Sequence, residues 1–310
     1  MAKETSFISL ILYVHNNENC IIDTLKRIIA EIDLDFKHYE IILVDDASTD
    51  NSVKQIKEFA SDCDASMLQL IEMSYFHGTE SAMNAGIDLA IGDFVFEIDS
   101  CNMDYDPRLL LEIYHRSQEG FDIVSASPRT AQSTASSLFY FLINKFSNVQ
   151  QPLLTERFRL LSRRAINRIH AMNLNIPYRK ILYAQSGLLQ DIYHYTPITS
   201  IYIASTAKKE YRWRIAVDSL ILFTDIGYKS AAIMSMCMLI LTIILGIFAI
   251  VNFFTNQPVA GWTSMICVLA IGFFFMFTLF AVIIKYLDII IKLIFRKQTY
   301  VVKSIAKLIS

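Results

Sequence analysis

From Ser230 to Ile284 the chain carries no Asp, Glu, Lys, Arg or His, so all 28 Lys and Arg and all 30 Asp and Glu lie outside that stretch. A run of this length constrains the chain more than any other feature, because a helix that is apolar on every side needs a non-aqueous surround. The run divides around Asn252 to Pro258 and Gly261. Ala231 to Val251 and Thr263 to Ile284 are each long enough to cross a hydrocarbon core of about 30 Å at about 1.5 Å per residue. The expectation is two transmembrane helices in a hairpin over 230–284.

Basic residues set the expected orientation. Lys208, Lys209, Arg212, Arg214 and Lys229 precede the first segment, six Lys and Arg follow the second, and the connection has none. Both termini are therefore expected in the cytoplasm, the more so because the N-terminus offers no export signal. Residues 285–310 hold six basic groups against one acidic, which predicts a basic tail lying on anionic lipids. Within 201–229, Trp213, Val217, Leu220 and Phe223 share one helical face. That pattern suits either an interfacial helix in the membrane plane or an amphipathic helix packed on the soluble domain. Ser137 to Phe146 is a second interfacial candidate. Five scattered cysteines with no CxxC pair argue against a disulfide scaffold or a zinc cluster.

Residues 1–200 read differently. Phe7 to Val14, Tyr39 to Val44, Met67 to Met73 and Phe94 to Ile98 are short apolar runs, as strands buried on both faces would be. Helical spacing over Cys20 to Ile32, Ser52 to Ala60 and Glu80 to Ala90 separates them. The alternation predicts an α/β domain with a mostly parallel, doubly wound sheet. Ligands of such sheets bind beyond the carboxyl ends of the strands. Here those ends carry Tyr13 to Glu18, Asp45 to Asp50 and Asp99 to Asp106, an acidic rim. Neither GxGxxG nor GxxxxGK[ST] occurs, so no dinucleotide fingerprint or P-loop is present. An acidic rim is expected to receive a polyphosphate through a divalent cation, although Asp45 is equally able to bond a base or ribose.

Leu12-Tyr-Val-His-Asn-Asn-Glu18, Val44-Asp-Asp-Ala-Ser-Thr-Asp-Asn-Ser52 and the Gly78, Ala82, Gly86, Gly92-Asp93 spacing resemble the motifs of family 2 (GT-A) glycosyltransferases. Phe158-Arg-Leu-Leu-Ser-Arg-Arg164 and the C-terminal apolar pair resemble the polyprenyl-phosphate group of that family. The resemblance implies a GT-A fold and an inverting enzyme that moves a sugar from a nucleotide-sugar donor to a dolichyl- or undecaprenyl-type phosphate. It implies donor binding by Tyr13, His15, Glu18, Asp45, Asp46 and Gly78. Asp99 and Arg159 would be catalytic, and Arg129, Arg159 and Arg163 would hold the acceptor phosphate. Mg²⁺ or Mn²⁺ would sit on Asp99 with Asp104, and a homo-tetramer is the implied assembly; no nucleic-acid partner is implied.

This chain departs from the pattern at the metal strand, where D-x-D is replaced by Asp99-Ser-Cys101. Cys101 is a soft ligand and a poor substitute for a carboxylate on Mg²⁺. Either Asp104 moves inward, or the metal binds weakly, or the site is dead. A binding or scaffold subunit of a glycan-assembly complex, and a transferase with a glycolipid acceptor, are the alternative functions.

Overall fold

The computed structural model describes residues 3–61, 67–129, 134–146, 152–172, 178–198, 213, 215–220, 233, 234, 236, 237, 240, 241, 244, 261–295 and 300–309. The chain divides into two compact units: Met1–Asn144 with Val149–Ala216 and Lys297–Ser310, and Lys145–Asn148 with Val217–Arg296.

The first unit follows the predicted alternation: β1 (Glu4–Val14), α1 (Ile21–Asp35), β2 (Phe36–Asp45), α2 (Ser52–Ser61), β3 (Leu68–Met73), α3 (Thr79–Leu89) and β4 (Phe94–Ile98). It continues with α4 (Leu109–Gln118), β5 (Ile123–Pro128), α5 (Thr134–Phe146), β6 (Phe158–Ser162), α6 (Arg163–Met172), α7 (Arg179–Ala184), β7 (Gln190–Tyr195) and, at the C-terminus, β8 (Val302–Ile309). All eight strands form one sheet in the order β7-β5-β6-β4-β1-β2-β3-β8. Strands β1 to β4 run parallel, whereas β6 is antiparallel to β4 and β5, and β8 is antiparallel to β3. The GT-A-like α/β layout is therefore present, with a mixed sheet.

Alternating residues of β1 explain its unbroken apolar run. Ile8, Leu10, Leu12 and Val14 join the layer containing Ile21, Leu25, Ile28 and Ile32 of α1. Ile11 and Tyr13 face the other layer, with Ala82 and Met83 of α3 and Ala165 and Ile166 of α6. Both faces are covered, so neither alternation nor polarity is needed along the strand. Two glycines set the α3–β4 geometry. A Cβ on Gly86 would stand 2.4 Å from Ile11 Cγ2, and one on Gly92 would stand 2.6 Å from the Ser9 backbone nitrogen. Ile11 can adjust its side chain, but a central-strand backbone cannot. Gly92→Ala should therefore destabilise the domain by roughly 1–3 kcal/mol, the usual range for overpacking, read as a lower urea midpoint.

The expected transmembrane hairpin is corrected: among the described residues no helix is long and apolar enough to cross a membrane. Of Ala231 to Val251 only seven residues are described. The second apolar segment belongs to α8 (Trp262–Phe295), a 34-residue helix that continues past Ile284 through Lys285, Asp288 and Lys292. Lys285 is paired with Asp218 at 3.0 Å. An uncharged run reports hydropathy and does not determine where a helix begins or stops. Of the amphipathic segment 211–223, Trp213 and residues 215–220 are described and helical, and the other six residues lie outside the described residues. Residues 302–309, read from the sequence as basic tail, form the edge strand β8.

Candidate functional site

The register of β1 on β2 places Val14 opposite Asp45, so the loops after the two strands leave the sheet side by side. They are stitched together in both directions. Asn16 N–H donates to Ser48 Oγ (3.0 Å), Asn17 N–H to Ser52 Oγ (2.8 Å) and Glu18 N–H to Asp50 Oδ2 (3.0 Å). In return, Thr49 N–H donates to Asn16 Oδ1 (2.8 Å) and Asn51 N–H to Glu18 Oε2 (3.0 Å). Asn16 (φ 51°) and Ala47 (φ 54°) adopt left-handed backbone, a conformation that side chains other than glycine enter at a cost. The cross-links hold that strain in place. Glu18, expected to bind the donor, braces the two loops, and Asp50 accepts the Ser52 N–H at the head of α2 (3.0 Å).

The neighbouring aspartates have different work. Asp46 is fully buried. Its Oδ1 accepts His77 N–H (2.7 Å), and its Oδ2 accepts Gly78 N–H (2.8 Å) and Tyr13 O–H (3.0 Å). It therefore positions the loop before α3, where Gly78 (φ 88°) requires the freedom of glycine. Asp45 is nearly as buried and accepts the Ser48 N–H at 3.2 to 3.3 Å. Burial raises the Asp45 carboxyl above its usual range, and Ser48 offsets this only in part. A raised folded-state pKa means that folding takes up a proton. Stability is therefore lost as pH rises from the unfolded value, about 3.9, through the folded one. Asp45→Asn should remove that loss, giving a higher melting temperature at neutral pH and little change in acid, as thermal melts at the two pH values will read.

His15 Nδ1 donates to the Asp46 carbonyl (2.7 Å), and its ring lies 4.8 Å from that of the half-exposed Phe76. Tyr75 stacks on His77 at 4.0 Å. His77 Nδ1 donates to the Tyr75 carbonyl (2.5 Å), leaving Nε2 to accept the Val301 N–H (3.0 Å). The segment leading into β8 thus buttresses the glycine loop. Tyr300 O–H adds a bond to Asp88 of α3. Tyr13, His15, Asp45, Asp46 and Gly78 do converge at one rim.

The end of β4 differs from the expectation. Its register with β6 sets Glu97 opposite Arg159, and both are buried. Arg159 Nη1 lies 3.3 Å from Glu97, Nη2 3.3 Å from Asp99 Oδ2 and Nε 3.1 Å from Glu156. Arg179, equally buried on α7, donates to Glu80 (2.9 Å), to Asp99 Oδ1 (2.8 Å) and to Glu97. Tyr183 O–H also donates to Glu97 (2.9 Å), and the Arg159 guanidinium lies 5.1 Å from the Tyr183 ring centre. Burial would push the Asp99 carboxyl up, but Arg179 and then Arg159 outweigh it and hold the group below the usual carboxylate range. Arg159 is thus a structural cation inside a carboxylate cluster, and its burial corrects the expected role as an acceptor-phosphate contact. Nothing local marked Arg179, Glu80 or Tyr183 in the sequence; Glu97 was visible as a charge inside an apolar strand.

The other expected contacts separate. Arg163 lies at the opposite end of β4, bonding the carbonyls of Ala90 (2.9 Å) and Gly92 (2.9 Å) beyond α3. Arg129 follows β5 at the rim end and is exposed, its N–H bonded to Tyr195 O (2.8 Å). Asp104 does not move toward Asp99 as a ligand; it accepts Tyr195 O–H (2.7 Å) and Arg157 Nε–H (2.8 Å). Cys101 is turned into the core, its Sγ 3.5 Å from the Tyr13 carbonyl. A hard divalent cation needs several available oxygens. Both Asp99 oxygens are taken by guanidinium groups, and among the described residues no group of three or more His, Cys, Asp or Glu could hold a metal ion. The residues present do not fit the cation that the resemblance implies.

The model of "Glycosyl transferase family 2" matches residues 9–169, just over half of the chain. An uncharacterized glycosyltransferase of Synechocystis is 26% identical over 275 residues, covering 86% of this chain and 85% of that protein. The undecaprenyl-phosphate 4-deoxy-4-formamido-L-arabinose transferase of Proteus mirabilis is 32% identical over 143 residues. That match covers 44% of this chain and 43% of the transferase, so the likeness spans less than half of either. The mannosyltransferase PcManGT of Pyrobaculum calidifontis, solved with GDP-Man and Mn²⁺, shares the fold at a TM-score of 0.52 and 16% identity, over 69% of this chain and 62% of that one. The chain belongs to glycosyl transferase family 2 and is a glycosyltransferase.

Proposed function

We propose that the protein transfers a sugar, with inversion, from a nucleotide-sugar donor to a polyprenyl phosphate at a lipid surface. The observation that carries this reading is the braced rim at the carboxyl ends of β1, β2 and β4, which lies inside the family-matched stretch. The nucleoside enters between Asp45, His15 and the Gly78 turn. Asp46 holds that turn from behind. The name of the Proteus relative supports the acceptor class.

A phosphate monoester has a second pKa of about 6 and is already largely dianionic at neutral pH, so it needs no strong general base. One of its oxygens forms a bond to the sugar anomeric carbon while the bond from that carbon to the donor diphosphate breaks. The diphosphate leaves with the electron pair. Exposed Arg129, at the same end of the sheet, is the proposed acceptor-phosphate contact among the described arginines.

The surface of α8 supports a greasy acceptor. Met265, Leu269, Phe274, Phe280 and Ile284 are each more than half exposed, and apolar patches of this kind mark lipid or protein contacts. The test incubates the full chain, in detergent with added undecaprenyl phosphate, with radiolabelled sugar nucleotides. The expected result is label extracted into organic solvent and dependent on the lipid phosphate. Label that stays water-soluble or enters polymer would overturn the acceptor.

A further inference from the structure

We propose that this glycosyltransferase binds its donor without a divalent cation, because the Arg159–Arg179 pair already neutralises the carboxylates that a cation would bridge. The inference rests on the nucleotide-sugar reading for its ligand class.

The case for a cation was the acidity of the rim, and folding engages most of those carboxylates. Asp46 is satisfied by two backbone N–H groups and a tyrosine hydroxyl. Asp50 accepts two backbone N–H groups, from Glu18 and Ser52. Asp104 is paired with Arg157. At the end of β4 the carboxylates of Glu80, Glu97, Asp99 and Glu156 meet Arg159, Arg179 and Lys180, so four negative charges are reduced to a formal −1.

Asp99 is held by both of its oxygens and from two elements: Arg159 comes from β6 and Arg179 from α7. A cation seeking Asp99 would have to break one of these contacts and leave a buried guanidinium short of a partner, which is costly. It would gain little in return, since Cys101 offers a buried thiol facing the core and Asp104 is engaged elsewhere. Arg179 therefore acts as a positioning residue. It ties the first turn of α3, through Glu80, to the last residues of β4 and holds the donor rim in shape. A diphosphate approaching this edge meets paired charges, and loses the electrostatic reason for a metal bridge.

The experiment uses the full chain stripped with EDTA. UDP and GDP are titrated by calorimetry with EDTA present and again with saturating Mn²⁺, and Mn²⁺ alone is followed by electron paramagnetic resonance. The expected result is binding of one nucleotide with affinities that agree within about threefold in the two conditions, and no saturable Mn²⁺ signal from the protein alone. A gain of about tenfold or more with Mn²⁺ would overturn the inference while leaving the donor class intact. So would stoichiometric Mn²⁺ binding that Asp99→Asn abolishes. Failure to bind either nucleotide in both conditions would sink the donor reading and this inference together.

Discussion

Arg179→Met should lower the stability of the domain by about 3–5 kcal/mol, the range for removing one partner of a buried ion pair. Arg179 has 2% exposed side chain and engages Glu80, Glu97 and Asp99 at once. Removing its charge leaves Glu97 facing only Arg159 and Tyr183, in a place where water cannot help. The effect should carry a pH signature. The Asp99 carboxyl is held low in the folded state, so its stabilising share is fully present above the unfolded carboxylate pKa and fades as acid lowers the pH through the folded value. Arg179→Met should therefore be most damaging at neutral pH and less so in acid. Arg179→Lys keeps charge but loses the fork that reaches three carboxylates, and should fall between the two. Glu97→Gln placed on Arg179→Met should recover part of the loss, a coupling that a double-mutant cycle measures. Urea unfolding of the parent, the three single variants and the double variant checks all of this; losses from Arg179→Met and Glu97→Gln that simply add in the double variant would show that the cluster does not act as a unit.

The elements from β1 to β4 were legible in the sequence and the cluster was not, for one physical reason. Short apolar runs and periods of 3.6 residues are local, so the runs around Ile8, Ile41, Leu70 and Val95 could be assigned to strands without knowing their neighbours. The loop after β2 was equally visible, since Asp45 to Ser52 is a contiguous string of polar and turn-forming residues. Pairing is not local. Arg159 meets Glu97 only because β6 inserts antiparallel beside β4, and Arg179 arrives from a separate helix. Reading Arg159 as a phosphate contact took a charged side chain near a rim to be available to ligand, whereas the sheet register buried it. Arg163 misled in the same way: one strand length along β6 carries it to the far end of β4. The strand β8 was hidden for another reason. Val301 to Ile309 alternates only weakly and carries two lysines, a pattern that suits a protected edge as well as a tail.

Asp46→Ala should be the most damaging change in the donor loops, and its contrast with Asp45→Asn is the sharpest check on the two roles. The carboxylate of Asp46 accepts His77 N–H, Gly78 N–H and Tyr13 O–H. Truncation strands buried donors at about 1–3 kcal/mol each, so a loss of roughly 2–4 kcal/mol is expected once the loop relaxes. Function should suffer beyond stability, because Gly78 is held at positive φ by this carboxylate and begins the helix beside the proposed nucleoside pocket. A displacement of about 1 Å there can cost on the order of 100-fold in rate. Asp46→Asn should rescue little. One amide oxygen can serve Gly78 and Tyr13, but the amide nitrogen then faces the His77 N–H, donor against donor. Asp45→Asn, one residue away, should instead melt higher at neutral pH. If Asp46→Asn binds UDP or GDP as tightly as the parent and melts at the same temperature, Asp46 does not hold the glycine turn, and the rim must be positioned from the β8 side through His77.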